Sequence, residues 1–249
     1  MKVVCMIPAR YGSSRFDGKA LADLNGKPMI QHVYEGVNEY TGADWIGVVT
    51  DDDRIYCAVK AFNGNIIMTS PECRTGTDRV AEAAAALYLE DDDIIVNIQG
   101  DQPRINKSHI EQVVSVLQDN TLYPVASLAY KIKQIREIVD VNTVKVTIGH
   151  DLQAIYFSRC SIPYRKNGNG PDYYKHLGIY AYRAWFLRQF ALMETGELEQ
   201  SESLEQLRIL ENGHQIKMGV TLIDSPSVDT PEDMMQVQDI IADCGGCCG

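Results

Sequence analysis

The sequence has little of what a membrane or secreted protein needs. Its apolar runs are short, and none approaches the roughly 18 consecutive residues of a membrane-spanning helix. Its first residues, Met1–Pro8, lack the long apolar stretch and the small-residue cleavage site of a secretory signal. We therefore expect a cytoplasmic protein with no membrane partner.

Positive charge is also scarce. The chain carries 23 Lys and Arg residues against 34 Asp and Glu residues, which gives a formal net charge of −11. Because nucleic-acid binding needs a cationic surface, this balance argues against nucleic acid as a partner. A small anionic substrate stays compatible with it, since a local cluster of Arg and Lys can bind such a ligand inside an acidic protein.

The seven cysteines are an odd number. Four of them are scattered, at Cys5, Cys57, Cys73 and Cys160, as is typical of reduced thiols. The other three lie in the glycine-rich segment Cys244–Gly249. Three thiols without a fourth ligand make an incomplete metal site, so an unstructured tail is the preferred interpretation there.

Short β-rich runs alternate with helical runs in the first half of the chain. The predicted strands are Val3–Ile7, Trp45–Val49, Asn65–Met68 and Ile94–Ile98, and the predicted helices start at Pro28, near Asp52 and at Thr77. This alternation predicts an α/β fold with a doubly wound, mostly parallel sheet. With 249 residues, the chain is long enough for one domain, 1–249.

The rhythm changes after about residue 120. Four strand-like runs follow, at Pro124–Tyr130, Thr143–Ile148, Ala154–Phe157 and Leu177–Tyr182. A helix is predicted from about Glu202 to Glu211, where Asn212 and Gly213 end it. We expect a smaller, mixed α/β lobe over approximately 125–200.

The first candidate site is the loop after the first strand, Ile7–Lys19. It contains Gly12, two serines and the cations Arg10, Arg15 and Lys19. Ligands of open α/β sheets bind beyond the carboxyl ends of the strands, where this loop would wrap phosphates. A solvated basic turn is the alternative, which three cations in one Gly/Ser loop disfavour.

The second candidate is Arg74–Arg79, ahead of the third predicted helix. A helix N-terminus with two hydroxyls favours an anion or a nucleobase edge. Alternatively, Thr77 only caps the helix and Asp78 only complements its dipole, and for this segment alone we prefer that interpretation.

The third candidate is the segment Asn97–Pro103, at the end of the fourth strand. Asp101 follows a buried strand and lies in a turn fixed by Gly and Pro, which suits a hard cation such as Mg²⁺. Asp229 comes just before the last predicted helix and could equally cap it. Each aspartate is ambiguous singly, and the pair favours metal binding.

Polar side chains also mark the second lobe, at Arg159, His176, Tyr180, Glu205 and Gln206. A histidine among apolar strand residues is more often structural than functional. If these groups converge, they would suit a polyhydroxylated acid, because Arg pairs with carboxylates and the others bind hydroxyls.

Eight segments together resemble the CMP-Kdo synthetases (3-deoxy-manno-octulosonate cytidylyltransferases) over nearly the whole chain. They are Ile7–Phe16, Gly76–Glu82, Asn97–Asp101, Asn142–Lys145, Tyr156–Arg159, His176–Tyr180, Leu204–Arg208 and Val228–Asp233. The resemblance implies a homodimeric nucleotidyltransferase that couples CTP to the acidic sugar Kdo and releases pyrophosphate. It also implies that the product serves bacterial lipopolysaccharide synthesis, and that 125–200 is the sugar-acid and dimerisation lobe.

The resemblance implies roles for individual residues. The nucleotide site would contain Ala9, Arg10, Ser13, Arg15, Lys19, Thr77, Asp78, Arg79 and Gln99. The sugar-acid site would contain Gln99, Arg159, His176, Tyr180, Glu205 and Gln206. Asp101 and Asp229 would bind Mg²⁺, and together with Arg10 and Lys19 they would form the catalytic set.

The sequence departs from the family pattern at three positions. Asp17 and Ala20 stand where the family usually has Pro, and Gln102 stands where it usually has Glu. An inward-facing Asp17 would weaken triphosphate binding, whereas an outward-facing one would be neutral. These departures leave two alternatives open: a related acceptor (an amino-substituted octulosonate, a nonulosonate or a phosphonate), or a catalytically weakened nucleotide-binding regulator. A nicotinamide-dependent oxidoreductase is disfavoured, because the glycine fingerprint after the first strand is missing.

Overall fold

The computed structural model describes residues 1–12, 16–166, 170–228, 230, 232–235 and 237–238. The chain divides into two units, Met1–Ile110 with Ser225–Gly249, and Glu111–Asp224. The predicted site residues Ser13, Arg15 and Asp229 and the cysteine-rich tail lie outside the described residues.

The first unit is built on four parallel strands. Its elements in chain order are β1 (Val3–Pro8), a 3-10 helix (Lys19–Leu21), the short hairpin β2 (Asp23–Leu24) and β3 (Lys27–Pro28), α1 (Met29–Asn38), β4 (Trp45–Thr50), α2 (Asp53–Ala61), β5 (Ile66–Met68), α3 (Gly76–Ala85) and β6 (Ile94–Ile98). Helix α4 (Lys107–Gln118) begins in this unit and ends in the second. The four predicted strands of the first half are all present.

Apolar periodicity determines these elements. Every residue of β1 and every residue of β6 is buried, because helices cover both faces of a parallel sheet. Helix α1 buries Met29, Ile30, Val33 and Val37, as their spacing predicts. The prediction that Pro28 starts this helix is wrong by one residue. Pro28 is the N-cap, in an extended conformation, and the helix begins at Met29.

The strand order of the first unit is β6-β1-β4-β5. The chain adds β4 and β5 on one side of β1 and then returns to place β6 on the other side. The winding direction therefore reverses between β1 and β6. In open α/β sheets this switch point, at the carboxyl ends of the strands, is where ligands bind.

The second unit has a mixed sheet. Its elements are β7 (Val125–Lys131), α5 (Ile135–Val139), β8 (Lys145–Ile148), β9 (Ala154–Ser158), β10 (Tyr174–Arg183), α6 (Ala184–Ala191), α7 (Glu197–Glu202), α8 (Gln206–Glu211) and β11 (Ile216–Thr221). Strand β11 is parallel to β7, whereas the β7–β10, β10–β8 and β8–β9 pairs are antiparallel. The range 125–200 lies within this unit, and its role in dimerisation stays a prediction.

The predicted helix 202–211 is wrong in its first half. Ser203 adopts a left-handed conformation with φ 52° and separates α7 from α8. The predicted stop is correct: Gly213 has φ 76°, and its N–H donates to the Leu210 carbonyl oxygen at 3.0 Å. Within the described ranges, none of the helices is long and apolar enough to cross a membrane.

Candidate active site

The turn after β1 begins the first half of the candidate site. Ala9 is buried, and its N–H donates to the Val49 carbonyl oxygen at 3.0 Å, whereas Arg10 is exposed. Lys19 starts the 3-10 helix, and its Nζ lies 2.8 Å from Asp101 Oδ2. The loop after β1 and the turn after β6 therefore meet at the switch point through an ion pair.

Tyr11 holds the ends of the same loop together. The N–H of Gly18 donates to the Tyr11 carbonyl oxygen at 3.0 Å, and Gly18 has φ 69°, a left-handed conformation that favours glycine. The Arg54 guanidinium stacks over the Tyr11 ring at 3.2 Å from its centroid and pairs with Asp52 at 2.7 Å.

Asp17, one of the three residues that differ from the family pattern, is also close to Arg54. The hydrogen-bonded Asp52 carboxylate and then the charges of Tyr11 and Asp17 raise the pKa of the Arg54 guanidinium. Asp17 is thus near a cation that resides on the exposed surface of α2.

The start of α3 differs from the expectation. Thr75, and not Thr77, caps this helix, because its Oγ1 accepts from the Asp78 N–H at 3.1 Å. Thr77 is buried, and its Oγ1 accepts from Asn97 Nδ2 at 3.3 Å. Asp78 lies in the first turn, where it complements the helix dipole, and forms an ion pair with Arg74 at 3.3 Å.

Arg79 is 4% exposed and has partners of its own. Its guanidinium pairs with Asp51 at 2.9 Å and donates to Thr69 Oγ1. Asp51 follows β4 and Thr69 follows β5, so Arg79 ties α3 to the ends of two strands. This contact supports a positioning role for the predicted nucleotide residue.

The turn after β6 contains the candidate metal ligand. The Gln102 N–H donates to the Gln99 carbonyl oxygen at 3.2 Å, which closes a tight turn around Gly100 and Asp101. A Cβ at Gly100 would lie 2.8 Å from the Pro8 carbonyl oxygen, so glycine lets the ends of β1 and β6 approach. Gln102 is buried, and no described residue is a hydrogen-bond partner of its Oε1.

The described residues contain no cluster of three His, Cys, Asp or Glu side chains that could bind a metal. Asp101 is partly exposed, with 27% side-chain accessibility. Its carbonyl oxygen accepts from the Val228 N–H at 2.8 Å, so the segment that leads to Asp229 runs beside Asp101. One or two carboxylates, completed by phosphate oxygens and water, are the usual protein ligand set of Mg²⁺, and the site fits that set.

In the second unit, Arg159 fastens the break between α7 and α8. Its Nε donates to the Glu202 carbonyl oxygen at 2.7 Å, its Nη1 donates to the Val141 carbonyl oxygen at 3.0 Å, and its Nη2 donates to the Ser203 carbonyl oxygen at 3.4 Å. The Glu202 carboxylate in turn accepts from the Arg159 N–H at 2.9 Å and from Ser158 Oγ at 2.6 Å.

Lys145 supports Arg159 from below the surface. Its side chain is fully buried, and its Nζ donates to the carbonyl oxygens of Asp140 at 2.7 Å, Thr143 at 2.6 Å and Arg159 at 2.5 Å. Burial lowers the pKa of this ammonium group. Lys145 therefore joins the loop before β8 to the end of β9.

His176, Tyr180 and Glu205 lie close together in this unit. The His176 and Tyr180 ring centroids are 5.2 Å apart, and burial lowers the pKa of His176 to about 3, so the ring is neutral at pH 7. Burial, followed by the charges of Tyr182 and Glu205, raises the pKa of Tyr180. Glu205 and the buried Gln206 form the start of α8.

Sequence reasoning missed the roles of four residues. Asp51 pairs with Arg79, Ser127 is hydrogen-bonded to His176, and Glu202 and Lys145 are hydrogen-bonded to Arg159. Ser127 carries no sequence signal, because a single serine in a buried strand is common. The predicted nucleotide residues lie in the first unit, and the predicted sugar-acid residues other than Gln99 lie in the second.

A sequence model of the Cytidylyltransferase family matches residues 4–216. The chain belongs to this cytidylyltransferase family. Among its relatives, the 3-deoxy-manno-octulosonate cytidylyltransferase of Syntrophus aciditrophicus is 52% identical over 96% of this chain and 97% of the relative. The 8-amino-3,8-dideoxy-manno-octulosonate cytidylyltransferase of Shewanella frigidimarina is 50% identical over 96% of this chain and 98% of the relative.

A solved structure agrees with this membership. A CMP:2-keto-3-deoxy-manno-octonic acid synthetase complexed with CTP matches with a TM-score of 0.91 and 42% identity, over 98% of this chain and 99% of that one. The predicted α/β fold with a mostly parallel sheet is thereby confirmed for this cytidylyltransferase.

Proposed function

We propose that this cytidylyltransferase transfers CMP from CTP to 3-deoxy-manno-octulosonate (Kdo) and releases pyrophosphate. The observation that carries the proposal is the ion pair of Lys19 and Asp101 at the β1/β6 switch point. In it, a cation that would bind phosphate and a carboxylate that would bind a metal ion lie together at the sheet edge where the ligands of such sheets bind. The similarity to a Kdo cytidylyltransferase over nearly the whole chain supports the choice of acceptor.

The reaction is an in-line displacement. The anomeric hydroxyl of the sugar acid attacks the α-phosphorus of CTP and loses its proton to solvent water, the new P–O bond forms, and the bond to pyrophosphate breaks. Stabilising the charge on the phosphate oxygens is the main catalytic task of such a transfer. Arg10 and Lys19, with Arg15, would neutralise this charge, while Ala9, Ser13, Gln99 and the Thr77–Arg79 segment would position the nucleotide.

Mg²⁺ is the proposed cofactor. Asp101 and Asp229 would bind it, and bound there it would draw charge from the phosphate oxygens of CTP. Lys19 contributes to the same site by keeping the Asp101 carboxylate oriented towards the loop after β1.

The sugar acid would bind to groups of the second unit. A guanidinium has five N–H donors. Within the described part of the chain, three of those on Arg159 are directed at backbone carbonyls, and the other two would bind a substrate carboxylate. The aromatic and polar side chains of His176, Tyr180, Glu205 and Gln206, with Gln99, would bind its hydroxyls. We also propose that the enzyme acts in the cytoplasm as a homodimer and supplies lipopolysaccharide synthesis.

A second candidate acceptor is 8-amino-Kdo. It is favoured by relatives named for that substrate that are up to 50% identical to this chain. The two acceptors differ by one substituent, so the same CMP transfer would serve both. A catalytically weakened nucleotide-binding regulator is the remaining candidate, for which the Gln102 and Asp17 departures are the only support.

The test measures pyrophosphate release from CTP, Mg²⁺ and Kdo, with 8-amino-Kdo in a parallel reaction. Asp101→Ala is the test variant. Asp119→Ala is its control, because Asp119 is an exposed carboxylate after α4 that bonds only to Ser115 among the described residues. We expect release that needs all three components, falls steeply but measurably in Asp101→Ala and is kept in Asp119→Ala. Release with 8-amino-Kdo but not with Kdo would change the proposed acceptor. CTP binding without release with either acceptor would favour the regulator.

A further inference from the structure

Strand β10 contains a bulge between two of the predicted sugar-acid residues. Leu177 is opposite Leu128 of β7, but the next pair is Tyr180 with Ser127, so Gly178 and Ile179 have no partner in the register. A bulge of this kind frees backbone carbonyls and re-aims the neighbouring side chains.

The Ser127 hydroxyl lies within hydrogen-bond distance of three atoms of this part of β10. Ser127 is fully buried, and its Oγ lies 2.7 Å from the Ile179 carbonyl oxygen, 3.4 Å from that of Leu177 and 2.9 Å from His176 Nε2. A hydroxyl has one hydrogen to donate and two lone pairs to accept. A carbonyl can only accept, so the hydrogen goes to the near carbonyl of Ile179.

This assignment determines the state of the histidine. Because the Ser127 hydrogen is used, its Oγ accepts from His176, and His176 Nε2 must carry a proton. The ring packs edge-on against Phe157, with centroids 5.0 Å apart, and its burial favours the neutral form. The second nitrogen, Nδ1, then holds a lone pair, and no described residue donates a hydrogen bond to it.

We propose that Ser127 is a positioning residue that fixes His176 as the neutral Nε2–H tautomer, so that Nδ1 accepts a hydrogen bond from a substrate hydroxyl. The nature of that hydroxyl rests on the proposed function, whereas the tautomer does not. The second unit would thus assign separate tasks to its groups: the cationic Arg159 binds the carboxylate, and the neutral His176 reads a hydroxyl of a polyhydroxylated acid.

The tautomer is measured by ¹⁵N NMR of the imidazole rings in the full chain at pH 7. The sequence has five histidines, and the His176→Gln spectrum identifies the signal of His176. We expect the Nε2–H pattern in the wild type and a shift towards a tautomer mixture in Ser127→Ala. Ser127→Thr keeps the hydroxyl and should keep the pattern. An Nδ1–H or imidazolium pattern in the wild type would overturn the proposal.

Steady-state kinetics measure the consequence for the substrate. Ser127→Ala should raise the KM for the sugar acid about tenfold, as expected for one weakened hydrogen bond, and leave the KM for CTP unchanged. Thr147→Val is the matched control, since the Thr147 hydroxyl also donates to a strand carbonyl, that of Tyr156, but forms no hydrogen bond with a histidine of the described ranges. Equal rises in both variants, or in both KM values, would overturn the proposal. Absence of turnover in the wild type would instead refute the proposed function, and the spectrum would still decide the tautomer.

Discussion

The Val228 N–H donates to the Asp101 carbonyl oxygen at 2.8 Å, and this bond joins two segments that lie far apart in the sequence. Asp101 is at the same time the partner of Lys19. Three distant stretches of the first unit therefore meet at one residue, and the candidate site depends on their assembly.

Lys19→Met removes the cation from this assembly. We expect kcat to fall about 100-fold, the typical loss when one preorganised charge-stabilising group is removed. Pyrophosphate release with saturating CTP measures it. Lys60→Met is the control, because Lys60 lies in the last turn of α2 and is exposed. Combining Lys19→Met with Asp101→Ala should cost less than the sum of the two losses, since the residues act as a pair. Additive losses would contradict the coupling.

Gly36→Ala tests a close contact between a helix and a turn. Alanine normally stabilises a helix interior relative to glycine by up to about 1 kcal/mol. At Gly36, however, a Cβ would lie 2.5 Å from the Ile105 carbonyl oxygen, so we expect a net loss of about 1–3 kcal/mol. Urea unfolding measures it. Gly76→Ala is the control, because its Cβ would meet its nearest atom at 3.4 Å. A stabilised Gly36→Ala variant would show that the contact can relax.

Lys145→Met tests the buried lysine. The change leaves three carbonyl oxygens without their donor, and each buried unsatisfied group costs about 1–3 kcal/mol. We expect a loss of at least about 3 kcal/mol in the free energy of unfolding. Lys131→Met is the comparison: Lys131 pairs with Asp172 at the surface and is 54% exposed, so no measurable loss is expected. Similar results for both variants would refute the structural role of Lys145.

The lowered pKa of His176 predicts that the free energy of unfolding depends on pH. Its folded pKa of about 3 lies below the ordinary value of 6.5, so the unfolded chain binds the extra proton more readily. The contribution of the neutral ring is complete above about pH 6.5 and is lost progressively as the pH falls towards 3. Urea unfolding at pH 7, 6, 5 and 4 should therefore show a steeper loss for the wild type than for His176→Gln. Parallel curves would mean that the ring titrates normally in the folded state.

The sequence was sufficient to predict most strands, because buried parallel strands appear as apolar runs with turn residues at their ends. It was insufficient where two candidates are near neighbours. Thr75 and Thr77 are both plausible caps, and only the structure shows that the Thr75 side chain accepts from the Asp78 N–H. The break at Ser203 was missed because the surrounding residues favour a continuous helix.

The same limit applies to the candidate site. Charged residues such as Lys19 and Asp101 are conspicuous in a sequence, and their positions after β1 and β6 follow from the fold class. Ser127 and Lys145 are not, because their roles come from a strand bulge and from carbonyl groups that only tertiary packing brings together.

The fully buried amine of Lys145 has a use in solution. An acetylating reagent can reach it only when the surrounding segments separate, so its rate of modification reports how often this part of the protein opens. Lys131, on the surface of the same unit, reacts without such an opening and supplies an internal reference. Mass spectrometry of the two peptides would thus give the acetylation rate of Lys145 relative to that of Lys131, and this ratio measures local unfolding.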